Sequence, residues 1–151
     1  MELKPLTHKD AWAILELIQD TMPSVYEVAK ATLTDKASWK KHNRKMWGAW
    51  GEYKNGGIYK EHSKYLVYCC GLYDDEYISW FAVSPEAQGR GVGTDMLNFL
   101  ISQCKCDTLY VETYLRQEFT SANAFYLKNG FTLYSIALPD VIYYQKDISK
   151  R

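Results

Sequence analysis

Neither sign of charge prevails in this chain: 18 Lys and Arg balance 18 Asp and Glu across 151 residues. A nucleic-acid partner normally calls for a basic footprint, so DNA or RNA binding is not expected, although a local patch is still allowed. No apolar run approaches the roughly 18 residues that span a bilayer, which speaks against a membrane partner. The opening MELKPLTHKD lacks the basic-then-apolar order of a signal peptide, and a soluble cytoplasmic protein is expected. Histidine is scarce, with three residues, and none lies close to Cys69-Cys70 or Cys104-Lys105-Cys106. Neither cysteine pair has the two-residue spacing of a zinc knuckle, so no metal is expected. In a reducing compartment these four cysteines read as small buried hydrophobes.

What is abundant is aromatic: 13 Tyr, 5 Trp and 5 Phe make 15% of the chain. Such residues build a core from few large pieces or line a pocket for a flat or cationic ligand. The length predicts a single domain over 1–151, with no repeat or linker. A first strand is expected at Leu3–Leu6. A capping box at Thr7 and Asp10 then starts a helix with Ala11, Ile14, Leu15 and Ile18 on one face, running to about Asp20. A second helix is expected from Thr34-Asp35. Its Lys36, Lys40 and Arg44, with Lys41 and Lys45, form a basic solvated face opposite Trp39, Met46, Trp47 and Trp50. It ends at the turn GEYKNGG. Short strands follow at 58–61, Tyr65–Leu72 and Tyr77–Val83, an antiparallel meander with a turn at 62–64 and a tip at Asp74-Asp75. Beyond them come a helix carrying Met96, Leu97, Leu100, Ile101 and Cys104, and a strand over Leu109–Tyr114. A short helix over Thr120–Lys128 stops at Asn129-Gly130, and strands at Phe131–Leu138 and Val141–Lys146 close the chain. The order predicts one α+β domain with a mixed sheet.

Three of only nine glycines fall in QGRGVGT, residues 88–94, between a strand and a helix. A helix N-terminus presents unpaired amides and partial positive charge, and glycines let those amides turn toward one concavity that suits a phosphate. Arg90 or Thr94 could add donors. The P-loop does not fit, because Gly93 is followed by Thr94-Asp95, and the dinucleotide fingerprint fails because Gly89, Gly91 and Gly93 alternate. Alone, the stretch reads equally well as a tight connection or as an anion site.

The run Ala82-Val83-Ser84-Pro85-Glu86-Ala87-Gln88-Gly89-Arg90-Gly91-Val92-Gly93 resembles the coenzyme motif of the GNAT superfamily of acetyl-CoA-dependent N-acetyltransferases. A second signature of that superfamily is matched by Phe125-Tyr126-Leu127-Lys128-Asn129-Gly130-Phe131. The resemblance covers about residues 65–146 and implies a GNAT-like fold, a mostly antiparallel sheet flanked by helices. It also implies acetyl-CoA as acetyl donor, with no metal. The amides of Gly89, Arg90, Gly91, Val92, Gly93 and Thr94, beside Gln88, would cradle the pyrophosphate. The edge of Phe81, Ala82 and Val83 would pair with the pantetheine arm, provided the neighbouring strand splays away.

Acetyl transfer to an amine requires a neutral amine, stabilisation of the carbonyl oxygen, and a proton for the departing thiolate. The resemblance makes Tyr126 the acid, while Phe125, Gly130 and Phe131 read as core and cap. A backbone amide of the Phe81–Val83 strand would hold the oxygen. Glu112 is the first candidate base, followed by Tyr77 and Glu76, with His42 and His62 weaker; a base can also be dispensable. Many relatives carry asparagine where this chain has Phe119, and Asn123 is the candidate to replace its contact with the coenzyme. Trp39, Trp47, Trp50 and the tip Asp74-Asp75-Glu76 are candidate walls for a cationic acceptor, the tip also reading as a solvated turn. A small-molecule amine is the first acceptor expectation and a protein N-terminus or lysine the second. A non-catalytic acyl-CoA-binding regulator and an enzyme acting on charged tRNA are rivals. A homodimer is left open.

Overall fold

A computed structural model describes residues 2–53 and 64–150. Strand β1 (Lys4–Leu6) ends at Thr7, where Asp10 accepts from the Thr7 amide at 2.8 Å and the Thr7 hydroxyl accepts from the Lys9 amide. This reciprocal cap sets the start of helix α1 (Ala11–Thr21), which buries Ala11, Ile14, Leu15 and Ile18 as the spacing predicts. After a turn at Pro23–Val25 comes a helix the periodicity does not announce, α2 (Tyr26–Leu33). It buries only Ala29 and Leu33, too few for a legible stripe.

The expected long helix from Thr34 to Trp50 is corrected. Helix α3 spans only Lys36–Lys41, capped by Asp35 and anchored where Trp39 Nε1 donates to the Leu33 carbonyl at 2.9 Å. Asn43 then adopts a left-handed φ of 46°, and the chain continues as strand β2 (Lys45–Glu52). Lysines four apart satisfy a helical pattern, but Met46 and Gly48 are buried in alternation, the period of a strand. Gly51 and Glu52, expected to open a turn, belong to β2 instead, and residues 54–57 of the expected turn lie outside the described residues. The strand expected at 58–61 and the turn at 62–63 lie outside the described residues.

Strands β3 (Lys64–Tyr73) and β4 (Tyr77–Val83) complete an antiparallel meander with β2. Helix α4 (Val92–Gln103) follows, then β5 (Thr108–Tyr114), α5 (Thr120–Lys128), β6 (Thr132–Ala137) and β7 (Val141–Asp147). The described residues form one seven-stranded sheet in the order β1-β2-β3-β4-β5-β7-β6, antiparallel except where β4 and β5 run parallel. This is the α+β architecture with a mixed, mostly antiparallel sheet that the element order predicts.

Each face of the sheet carries its own core. Helices α1 and α2 cover one with Leu6, Met46, Leu66, Cys69 and Ala82; α4 covers the other with Cys70, Leu72, Ile78, Leu109, Val111 and Tyr126. Cys69, Cys70 and Cys104 are buried. Burial pushes the Cys69 thiol up to about 12.

Candidate active site

Strand β4 is irregular where the chemistry was sought. Its register to β3 shifts so that Trp80 and Phe81 together face Cys70, a bulge, with Trp80 at a left-handed φ of 47°. Trp80 consequently packs toward the α1 core and Phe81 toward the α4 core. Left-handed backbone on a bulky residue is strained, and such strain gathers at functional sites.

On its other side β4 pairs with β5 only at Tyr77–Tyr110 and Ile78–Val111. Beyond Ile78 the two strands share no ladder, so the splay that sequence could not reveal is present. Ser84 donates to the Val67 carbonyl at 2.8 Å, which fixes the ladder phase. By the alternation of an antiparallel pair, Ala82 turns its backbone groups to β3, while Phe81 and Val83 turn theirs to the gap. Gln88 Nε2 reaches back to the Val83 carbonyl at 3.0 Å and braces the end of the strand.

The glycine stretch closes that end of the gap. Gly89 and Gly91 have φ of 79° and 78°, and a Cβ on either would meet nothing within 4 Å. These two glycines serve backbone conformation in an open concavity. Gly93 differs: a Cβ there would stand 3.2 Å from the Phe125 ring, so this glycine serves the packing of α4 on α5. Gly91 is the N-cap of α4 and its carbonyl accepts from Asp95. The amides of residues 89–94 donate to no described residue. Six unpaired amides at the start of a twelve-residue helix, beside exposed Arg90 and Thr94, can hold an anion.

Orphaned polar atoms border the same gap. Thr113 on β5 is 2% exposed and its hydroxyl has no partner; the Trp80 indole N–H has none either. Asn123 Nδ2 donates to the Tyr114 carbonyl at 2.9 Å, while its Oδ1 is buried and unpaired. Buried groups of this kind usually have partners, and Trp80 and Thr113 belong to the two strands that the gap separates. The donor set fits a molecule with an anionic head and an extended arm carrying amides. Thr113 and Trp80 were not expected from sequence.

Tyr126 is buried, with ring centroids of Phe81, Phe125, Phe131 and Tyr144 between 5.3 and 6.3 Å away. Burial pushes its phenol well above the ordinary range, so it keeps its proton. It shares the α4 face with Val111, whereas Glu112, one residue on, is exposed on the opposite face. Tyr143 donates to Glu112, which raises the Tyr143 phenol. Tyr126 and Glu112 thus stand on opposite sides of the sheet beside the gap.

Other candidates disperse. Tyr77 is stacked between Tyr73 and Tyr110, at 4.9 and 5.4 Å, and the Glu76 carbonyl accepts from the Tyr110 amide. His42 pairs with Asp74 at 3.7 Å, and Asp75 with Lys45 at 3.2 Å, so the hairpin tip is tied to the α3–β2 connection. His62 lies outside the described residues. The three tryptophans do not form one wall: Trp39 and Trp50 belong to the α1 core, whereas Trp47 meets Phe99 of α4 on the opposite face. Placing 45–52 in a strand is what separates them. Among the described residues no group of three His, Cys, Asp or Glu is placed to hold a metal, and no helix is long and apolar enough to cross a membrane.

The family profile described as an acetyltransferase (GNAT) domain matches residues 52–133. Among solved structures, a protein from Desulfovibrio desulfuricans assigned to the GNAT family superposes with a TM-score of 0.73 at 16% identity, over 97% of this chain and 98% of that one. An acetyltransferase of the GNAT family from Staphylococcus aureus Mu50 gives 0.69 at 16% identity, over 97% and 99%. The PaiA N-acetyltransferase from Thermoplasma acidophilum, solved in complex with coenzyme A, gives 0.63 at 16% identity, over 97% and 99%. At such identities the likeness establishes the fold. No curated protein matches the sequence.

Proposed function

The chain belongs to the GNAT acetyltransferase family, which uses acetyl-CoA as acyl donor, and from that premise we propose that it acetylates a small primary amine by direct attack in a ternary complex. The observation that carries this reading is the bare edge of β4 leading into the loop of residues 89–94. When bound, acetyl-CoA supplies the activated acetyl group. The loop amides hold its pyrophosphate, and the Phe81 and Val83 backbone groups pair with its arm as an added strand would.

The remaining roles fall to groups beside the gap. A backbone amide of β4 donates to the carbonyl oxygen as charge develops there. Tyr126 stays protonated by burial; its phenol gives a proton to the departing sulfur and is restored by the proton that the nitrogen sheds as the amide forms. Glu112, on the opposite face, takes the proton of the incoming ammonium. Separate faces for acid and base suit a reaction in which amine and coenzyme arrive from opposite sides.

The test is thiol release from acetyl-CoA with a library of small amines, peptides with free N-termini, and lysine peptides. Turnover on small amines, with kcat lowered about 10²- to 10⁴-fold in Tyr126→Phe and coenzyme affinity retained, is expected. Peptide-only turnover would replace the acceptor class. Coenzyme binding without turnover on any amine would leave a non-catalytic sensor.

A further inference from the structure

A second concavity of about 260 Å³ lies between α1, the start of β3 and the turn Pro85–Ala87. No residue of β5 or α5 lines it, so it is separate from the gap. Ala13, Leu17, Leu66 and Pro85 give it apolar walls. Carboxylates stand around these walls: Glu16 and Asp20 lie one turn apart on α1, and Glu86 faces them from the turn. Tyr53 donates to Glu16 and Tyr65 to Glu86 at 2.7 Å, with the two rings 4.9 Å apart, so phenols orient the carboxylates.

A separate feature points to a ligand. Ser84 lines the cavity, is 7% exposed, and its hydroxyl has no partner. A buried hydroxyl left unpaired is uncommon and marks a missing group.

We propose that this cavity binds a small alkylammonium ion. The negative rim calls for a cation. Apolar walls suit methylene groups, and three N–H donors suit Asp20, Glu86 and the Ser84 oxygen. A hard metal ion draws on several converging carboxylates, and among the described residues no group of three His, Cys, Asp or Glu is placed to hold one. Glu86 stands two residues before Gln88, where the glycine stretch begins.

The probe is 1,4-diaminobutane, titrated calorimetrically into the whole chain with and without coenzyme A. A site present under both conditions and weakening as NaCl rises from 50 to 500 mM is expected, whether or not a further equivalent binds at the gap as acceptor. The Asp20→Asn/Glu86→Gln double variant should bind about tenfold more weakly and Ser84→Ala about threefold. Glu112→Gln should bind as the parent does, and thermal melting checks that each variant folds. Absence of binding by the parent at millimolar diamine overturns the proposal. So does unchanged binding in the double variant, or loss of binding in Glu112→Gln, which would put the diamine at the gap. The readout is binding, so a failure of the acetylation reading leaves it intact.

Discussion

At its start β4 is laddered to β5 through Tyr77 and Ile78, with Tyr77 stacked between two further tyrosines. At its end, from Phe81 to Val83, β5 no longer pairs with it and only β3 holds its other edge, and buried polar groups of Trp80, Thr113 and Asn123 have no partner. One half is satisfied by the chain itself, and the other is complementary to something outside it. A sheet does not leave such an edge bare without cost, since unpaired buried groups destabilise a fold. The closed half holds the two strands in parallel, and the open half keeps their ends apart.

The difference can be broken most severely at the loop. Gly91→Glu puts a carboxylate where an anion is to sit and a side chain on a left-handed residue. Coenzyme A affinity, measured calorimetrically, should fall on the order of a hundredfold or more. The folded chain should lose about 1–2 kcal/mol. Retained affinity would move the anion site elsewhere. At the closed half the opposite result is expected: Tyr77→Ala should cost about 1–2 kcal/mol in urea unfolding while coenzyme affinity changes less than twofold.

A smaller effect concerns the core beneath both halves. Burial raises the Cys69 thiol from 9.0 to about 12 and the Tyr126 phenol also rises. Their folded pKa values exceed the unfolded ones, so their contribution to stability is complete below the unfolded pKa and lost as pH climbs toward the folded pKa. The unfolding free energy from urea titration should therefore hold to about pH 8 and then fall, by up to about 1.4 kcal/mol per pH unit for each group. An unfolding free energy flat to pH 11 would contradict this burial, and Cys69→Ala should lessen the fall just above pH 9 without removing it, because burial also raises the Cys70 thiol. Smallest is Thr113→Val, which removes an orphaned hydroxyl. It should stabilise the free protein by up to about 1 kcal/mol and weaken coenzyme A about three- to fivefold. Stabilisation without weaker binding would assign Thr113 to the core alone.

These contrasts also explain what could be read beforehand. The loop and Tyr126 were legible because they carry a residue pattern, and α5 was found at Thr120–Lys128 because Asn129-Gly130 stops it. Strand β2 was not legible, because lysines at 36, 40 and 41, 45 satisfy a four-residue period while Asn43 turns the chain unannounced. Helix α2 buries too little to show a stripe. The splay is an absence of pairing, which no residue encodes by itself. Thr113 looks in sequence like any β-forming residue on a strand. Its buried, unpaired hydroxyl emerges only from the tertiary fold, and the same holds for Ser84. Gly93 shows the converse: motif and packing coincide at one residue, and only the Phe125 ring 3.2 Å from its would-be Cβ separates them.

The most direct measurement is amide hydrogen exchange, resolved residue by residue, with and without coenzyme A. The account predicts new protection at Phe81, Val83 and the amides of residues 89–94, with Tyr77 and Ile78 already protected and unchanged. Protection that leaves the Phe81–Val83 edge and the loop exchanging as before would contradict it.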